Sequence, residues 1–325
     1  MIWPARFEYI LTLFSTLPFQ KTFSYCIIDF KEKLISLSEV NIMWAFLDGE
    51  FVEEKDRHIK LENRGLTFAD GLFEVIRTIE NKILFFEDHF SRMQKSAAHF
   101  DITLPYGSGY VKNAALELIK KNGIEDGELY LELTRGTDLH REHRFPPKRT
   151  PSTFFMLALP LRHIDRESWK KGVKLLTYPD LRHRLCEHKT INLLPNVLAK
   201  NYAYSNGGYE ALMYREEGSY RYVTEGGSSN YFMVKDGVIH TPEIDNILPG
   251  ITRGKVAKMI CELGYELHER RVGVEEFLAA DEVFLVSTVS RVMPVHSIDD
   301  FHFNAPGAVT LKVQEAYEKI FFSFL

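Results

Sequence analysis

Cysteine is scarce in this sequence: three thiols in 325 residues, Cys26, Cys186 and Cys261, far apart and odd in number. That excludes a disulfide framework and any C-x-x-C metal or redox pair, and it fits a reducing cytoplasm. An excess of one charge is also missing. Lys and Arg number 40 against 45 Asp and Glu, a net −5 with no long block of either sign, so nothing points to a nucleic-acid partner. Long apolar runs are lacking too. Tyr9 to Phe19 is broken by Ser15, Thr16 and Pro18 and is too short to span a bilayer. Arg6 is offset by Glu8 and no Ala-x-Ala site follows, so the stretch lacks the form of a secretory signal. The expectation is a cytoplasmic protein with no membrane segment. What is present is enough apolar material, 45% of residues, to bury a core at a length of about two domains.

The first 42 residues differ from the rest and read as an extension of uncertain role. A second methionine, Met43, opens a segment that predicts a strand hairpin turning at Asp48-Gly49. Another hairpin is expected from Phe73 to Phe86, turning at Glu80-Asn81-Lys82. Apolar spacing at Phe90, Met93, Ala97 and Phe100 predicts a helix, and Val111 to Lys121 a second. Strands are expected at 128–134 and 153–159, then a linker beginning at Leu159-Pro160. Beyond it the pattern gives strands at 173–177, 211–214, 230–234, 282–287 and 293–296, with helices at 194–205, 252–263 and 309–321. This is an α+β pattern in two halves: a smaller α/β domain over 43–160, a linker over 161–168 and a larger domain over 169–325.

Five segments carry candidate chemistry. Lys189 stands in Glu187-His188-Lys189-Thr190-Ile191-Asn192, just ahead of an apolar helix; alone it reads as a solvated lysine. In Thr224-Glu225-Gly226-Gly227-Ser228-Ser229-Asn230 an acid precedes paired glycines and a strand. That is either a tight turn with a surface acid or a backbone bared for close approach to a flat ligand. Leu248-Pro249-Gly250-Ile251-Thr252 opens a helix whose free N–H groups suit a phosphate, unless Thr252 simply caps it. Ser287-Thr288 puts hydroxyls at a strand end, and Arg92 lies on a helix where a salt bridge would be ordinary.

In this order the five segments resemble the class IV aminotransferases, enzymes of fold-type IV that use pyridoxal phosphate, over the chain from about Met43 to its end. Leu133-Thr134-Arg135-Gly136-Thr137, Arg141-Glu142-His143-Arg144-Phe145-Pro146 and Asn192-Leu193-Leu194 resemble the D-amino-acid aminotransferases among them. The resemblance implies a small α/β domain and a larger cofactor domain with a barrel-like sheet, in a homodimer with sites near the subunit interface. It implies transamination between a D-amino acid of the alanine or glutamate type and pyruvate or 2-oxoglutarate. Lys189 would hold pyridoxal 5'-phosphate as a Schiff base and carry the proton. Glu225 would face the pyridine nitrogen, and Leu248 the ring. Arg92, Ile251, Thr252 and Thr288 would hold the phosphate, with Ser287 and Ser228 or Ser229 behind them. Arg141 and His143 would take the substrate carboxylate.

Two departures stand out. One more residue than the pattern separates Thr137 from Arg141, and Phe73 stands where D-specific members carry tyrosine. Phenylalanine cannot donate to a carboxylate, a loss of about 1–3 kcal/mol unless His140 or Arg144 replaces the donor. Aminodeoxychorismate lyases share the fold and often carry phenylalanine there, but they have no use for Arg141 with His143. Branched-chain L-aminotransferases need a different carboxylate site. A non-catalytic relative has no reason to keep Lys189 with Glu225.

Overall fold

Alternating strand patterns build two sheets in the computed structural model, which describes residues 43–161 and 164–323. The extension expected over 1–42, and Arg162 and His163 of the expected linker, lie outside the described residues. The first sheet begins with the hairpin β1 (Trp44–Leu47) and β2 (Glu50–Glu53). Asp48 (φ 47°) and Gly49 (φ 100°) both lie in the left-handed region, which a two-residue turn between twisted strands requires. A short helix α1 (Arg64–Phe68) leads into β3 (Gly71–Ile79) and β4 (Lys82–Ile83). Helices α2 (Phe86–His99) and α3 (Ser108–Lys121) follow, then β5 (Asp126–Thr134) and β6 (Thr153–Pro160). The strand order is β2-β1-β6-β5-β3-β4, antiparallel throughout.

One face of this sheet is sealed. Leu129, Leu131 and Leu133 of β5 pack with Phe154 and Met156 of β6 under Phe90, Met93 and Ala97 of α2 and Val111, Ala115 and Leu118 of α3. On the opposite face, Phe73, Glu132 and Phe155 lie side by side, because Glu132 is the register partner of both Phe73 and Phe155.

The second sheet takes β7 (Val173–Pro179), β8 (Glu210–Glu217), β9 (Tyr220–Val223), β10 (Asn230–Lys235), β11 (Val238–Pro242), β12 (Leu267–Arg270), β13 (Glu282–Ser287), β14 (Arg291–Ile298) and β15 (Phe301–His302). Its order is β12-β11-β10-β13-β14-β7-β8-β9, with β15 on β14. The sheet curls until its ends meet: Val223 N–H donates to Val272 O at 2.9 Å, and Tyr222 bridges Gly273. The result is the barrel-like sheet of fold-type IV. Inside it pack Leu175, Leu212, Tyr231, Leu285 and Met293. Helices α4 (Arg166–Lys171), α5 (Leu194–Ser205), α6 (Ile251–Glu262), α7 (Val274–Leu278) and α8 (Ala308–Ser323) complete the fold. Val256 and Ile260 of α6 and Val313 and Tyr317 of α8 cover Phe232, Phe284 and Val286.

Leu159 and Pro160 close β6, paired with Glu128 and Gly127, just ahead of the linker expected over 161–168. Residues 166–168 are the first turn of α4, capped by the Asp165 carboxylate on Glu167 N–H at 3.0 Å. No helix among the described residues is long and apolar enough to cross a membrane.

Candidate active site

The segment carrying Lys189 lies along the open edge of β3. Phe73 N–H donates to Lys189 O at 3.0 Å and Ile191 N–H to Gly71 O at 3.1 Å, with Leu72 and Thr190 as the bridged pair. This antiparallel register sets Lys189 opposite Phe73, and its Nζ rests 4.1 Å from the Phe73 ring centroid. Gly71 is required here, since a Cβ would stand 2.7 Å from Leu133 O and 2.9 Å from the Ile191 side chain. Loss of hydration pushes the Lys189 amine down to about 8, with the Arg92 charge adding to it and Glu74 and Glu225 opposing. The lone-lysine reading fails on this environment: an amine whose neutral form is accessible near pH 8 can act as nucleophile and base.

Arg92 reaches the same place from α2. Glu74, on the sealed face of β3, takes its Nε at 2.8 Å and Nη2 at 2.7 Å, and also takes His89 Nδ1 at 2.7 Å. Burial alone would raise the Glu74 carboxyl, but Arg92 and His89 hold it at about 2. The third donor of the Arg92 fork goes to Pro249 O at 3.0 Å, tying it to the start of α6. The arginine that makes the salt bridge is therefore also the one that touches the start of α6.

Glu225 is buried at the mouth of the curled sheet. Its carboxylate accepts from Arg182, from Leu248 N–H at 3.0 Å and from Asn230 Nδ2 at 3.0 Å. Burial holds the carboxyl above its ordinary value, with Arg182 pulling only partly against it. Arg182 is itself held by Asp180, at 2.9 Å from Nε and 2.8 Å from Nη2. The surface-acid reading is thus overturned. The glycines are tightly packed: a Cβ on Gly226 would stand 2.3 Å from Ser229 Oγ, and one on Gly227 3.1 Å from Glu210 Oε1. They make room for protein atoms. Ser228 donates to Glu210 at 2.9 Å.

Leu248 lies between Glu225 and Asn230, its carbonyl accepting from Asn230 Nδ2 at 3.2 Å. Helix α6 starts at Ile251 with Gly250 as N-cap and no side-chain cap, so Thr252 does not cap it. The N–H groups of the first turn stay free for an anion. Gly250 has φ −61°, open to any residue, but a Cβ would meet Asn230 Oδ1 at 2.2 Å. Ser287 ends β13 and accepts from Ser290 N–H at 2.9 Å; Thr288 follows in the turn to β14.

Arg92, Lys189, Glu225, Leu248 and the start of α6 are thereby linked by direct contacts or mutual charge. Arg141 and His143 gather elsewhere, on Phe68 of α1: the guanidinium lies 4.7 Å from its ring centroid and the imidazole 5.2 Å. Arg64 donates to Glu142 O at 2.7 Å and stands 4.6 Å from the same ring. Arg144, a candidate replacement for the missing tyrosine, is occupied by Glu142 at 2.7 and 3.1 Å. Sequence reasoning missed Glu74, His89, Asp180, Arg182 and Asn230. The one available signal was Glu74, a charge in the core-facing phase of an apolar strand.

The site thus joins a lysine of lowered basicity, a buried carboxylate, an arginine and a bare helix start. The model of the amino-transferase class IV family matches residues 71–298, and the chain belongs to that family. A D-alanine aminotransferase of Staphylococcus epidermidis is 37% identical over 281 residues, 85% of this chain and 96% of that protein. One of Bacillus licheniformis is 38% identical over 280 residues, with the same coverage. The T.th. branched-chain amino acid aminotransferase, solved with N-(5'-phosphopyridoxyl)-L-glutamate, superposes with a TM-score of 0.79 at 27% identity, covering 88% of this chain and 96% of that one.

Proposed function

We propose that the protein uses pyridoxal 5'-phosphate to move amino groups between D-amino acids of the alanine or glutamate type and pyruvate or 2-oxoglutarate. The observation that carries this reading is the Lys189 amine, lowered to about 8 within the charge fields of Arg92 and Glu225. The donor set fits the cofactor: a nucleophilic amine for its aldehyde, a buried carboxylate for its ring nitrogen, and cation plus free amides for its phosphate. Arg92, Ile251, Thr252 and Thr288 would hold the phosphate, with Ser287 behind them, while Leu248 would pack on the ring and Glu225 would face the ring nitrogen. When bound, the cofactor supplies an aldehyde that condenses with amines and a ring that accepts the electron pair left on Cα.

The chain's own residues do the rest. Lys189 Nζ would hold the cofactor's aldehyde carbon and, in its neutral form, take the Cα proton of the donor. Glu225, with Arg182 pulling against the upward push of burial, would face the ring nitrogen and favour the negative charge that develops on the ring. Arg141 and His143 offer donors for the substrate carboxylate, and their side of the cofactor selects the D-hand. Curated relatives bearing the D-alanine aminotransferase name support that hand. An apolar face on α5, with Leu194, Val197, Leu198 and Tyr202 exposed, supports a homodimer.

The test is steady-state kinetics with D- and L-alanine as donors. D-alanine is the better donor, Arg141→Ala raises its KM by about tenfold or more, and Phe73→Tyr lowers it. Preference for L-donors would rule out the D-hand while leaving the cofactor assignment standing.

A further inference from the structure

Glu132 is a carboxylate the reaction does not use, and it lies two strand positions from Lys189 across the first sheet. Across the open face of the first sheet, Lys189, Phe73, Glu132 and Phe155 occupy successive strands at one level: Lys189 opposite Phe73, Phe73 paired with Glu132, Glu132 paired with Phe155. Two strand spacings, about 10 Å, separate the Lys189 and Glu132 positions. The Tyr130 ring stacks on Phe73 at 5.8 Å, and its hydroxyl donates to Glu132 Oε2 at 2.6 Å. Among the described residues no cation pairs with Glu132. It is half-buried, and its remaining lone pairs face outward from the sheet. Burial pushes its carboxyl up, the behaviour of an acid lacking a counter-charge.

We propose that Glu132 selects substrates by the charge of their side chain. A substrate whose nitrogen is held near Lys189 directs its far end along this row, over Phe73 and toward Glu132. A side-chain carboxylate there meets a like charge in a low-dielectric wall. A small neutral side chain meets the Phe73 ring, and an ammonium finds an acceptor. The inference rests on the transaminase reading and narrows it: D-alanine with pyruvate is favoured over D-glutamate with 2-oxoglutarate, and D-ornithine or D-lysine becomes an accepted donor.

The experiment compares kcat/KM for D-alanine, D-lysine and D-glutamate in the wild-type holoenzyme and in Glu132→Gln, which keeps an acceptor for Tyr130. Inhibition constants of butyrate and glutarate, which differ by one carboxylate, are measured on both proteins. The wild type favours D-alanine over D-glutamate by about tenfold or more, and butyrate inhibits more strongly than glutarate. In Glu132→Gln both gaps shrink by about tenfold, and D-lysine loses ground against D-alanine. Equal use of D-glutamate by the wild type, or gaps unchanged in Glu132→Gln, overturns the proposal. Should only L-donors react, the D-hand fails. The same charge comparison is then made with L-alanine, L-lysine and L-glutamate, and the butyrate–glutarate gap still decides for or against Glu132.

Discussion

The Lys189 amine owes its lowered value to where β3 begins. The edge of that strand is open, the Lys189 segment pairs along it, and the amine is carried over the Phe73 ring, away from water. With the amine lowered to about 8, the neutral form gains tenfold per pH unit below that value and levels off above it. Covalent capture of the aldehyde cofactor by the cofactor-free chain, trapped with borohydride at each pH, should therefore rise to a plateau near pH 8. A rise continuing toward the 10.5 of an ordinary lysine would mean the amine is solvated, and Lys189→Ala should abolish the label altogether. Glu225 acts at a different moment. Its bonds to Arg182, Leu248 and Asn230 keep it in place before any substrate arrives, so its effect falls on the charge that develops during turnover. Glu225→Gln keeps the shape and the cofactor but lowers kcat by roughly 100-fold or more. A variant turning over at the parent rate would remove Glu225 from the reaction.

Between elements, one buried polar joint is Glu74, which ties β3 to α2 through Arg92 and His89. Its carboxyl lies at about 2 against an ordinary 4.5. The folded chain thus binds this proton less readily than the unfolded chain. The joint's stability is complete above pH 4.5 and is lost as the pH falls toward 2, a contribution of roughly 3 kcal/mol. Glu74→Gln leaves Arg92 and His89 buried with one partner weakened, so unfolding at pH 7 should cost about 3–5 kcal/mol less. The pH dependence between 4.5 and 2 should also flatten. Denaturation curves across that range check both, and unchanged stability at pH 7 would show that the joint does not hold α2. This joint was not legible in the sequence, because its partners are 15 and 18 residues apart and meet only through the sheet. Elements with a clear period were legible: α2 from Phe90, Met93 and Ala97, α5 from Leu194 to Ser205, β13 from Glu282 to Ser287. The strands β9 and β12 were not. Tyr220–Val223 follows a polar turn, and Leu267–Arg270 is a mostly exposed edge, so neither shows an apolar alternation to read. The candidate site divides the same way. Lys189, Glu225 and Gly250 sit in motifs with their own spacing, whereas Arg182 gains its role only by folding back onto Glu225 across 43 residues.

For the whole molecule, the residues from Trp44 onward cluster as a unit by themselves, and the two curated relatives align over 96% of their own length while leaving part of this chain unmatched. A chain beginning at Met43 should fold, stay soluble and keep its activity. A truncated chain that aggregates, or loses turnover while the full chain keeps it, would give residues 1–42 a structural part. The sheet edge, the Glu225 cluster and the bare start of α6 all serve one purpose in this account: delivery of a proton to one face of a bound substrate, with Arg141 and His143 choosing which hand results. The most direct measurement loads the enzyme with pyridoxamine phosphate, adds pyruvate in deuterated water for a single turnover, and separates the alanine formed on a chiral column. D-alanine carrying one deuterium at Cα is expected from the wild type and no alanine from Lys189→Ala. L-alanine from the wild type, or alanine formed equally fast without Lys189, would contradict this account.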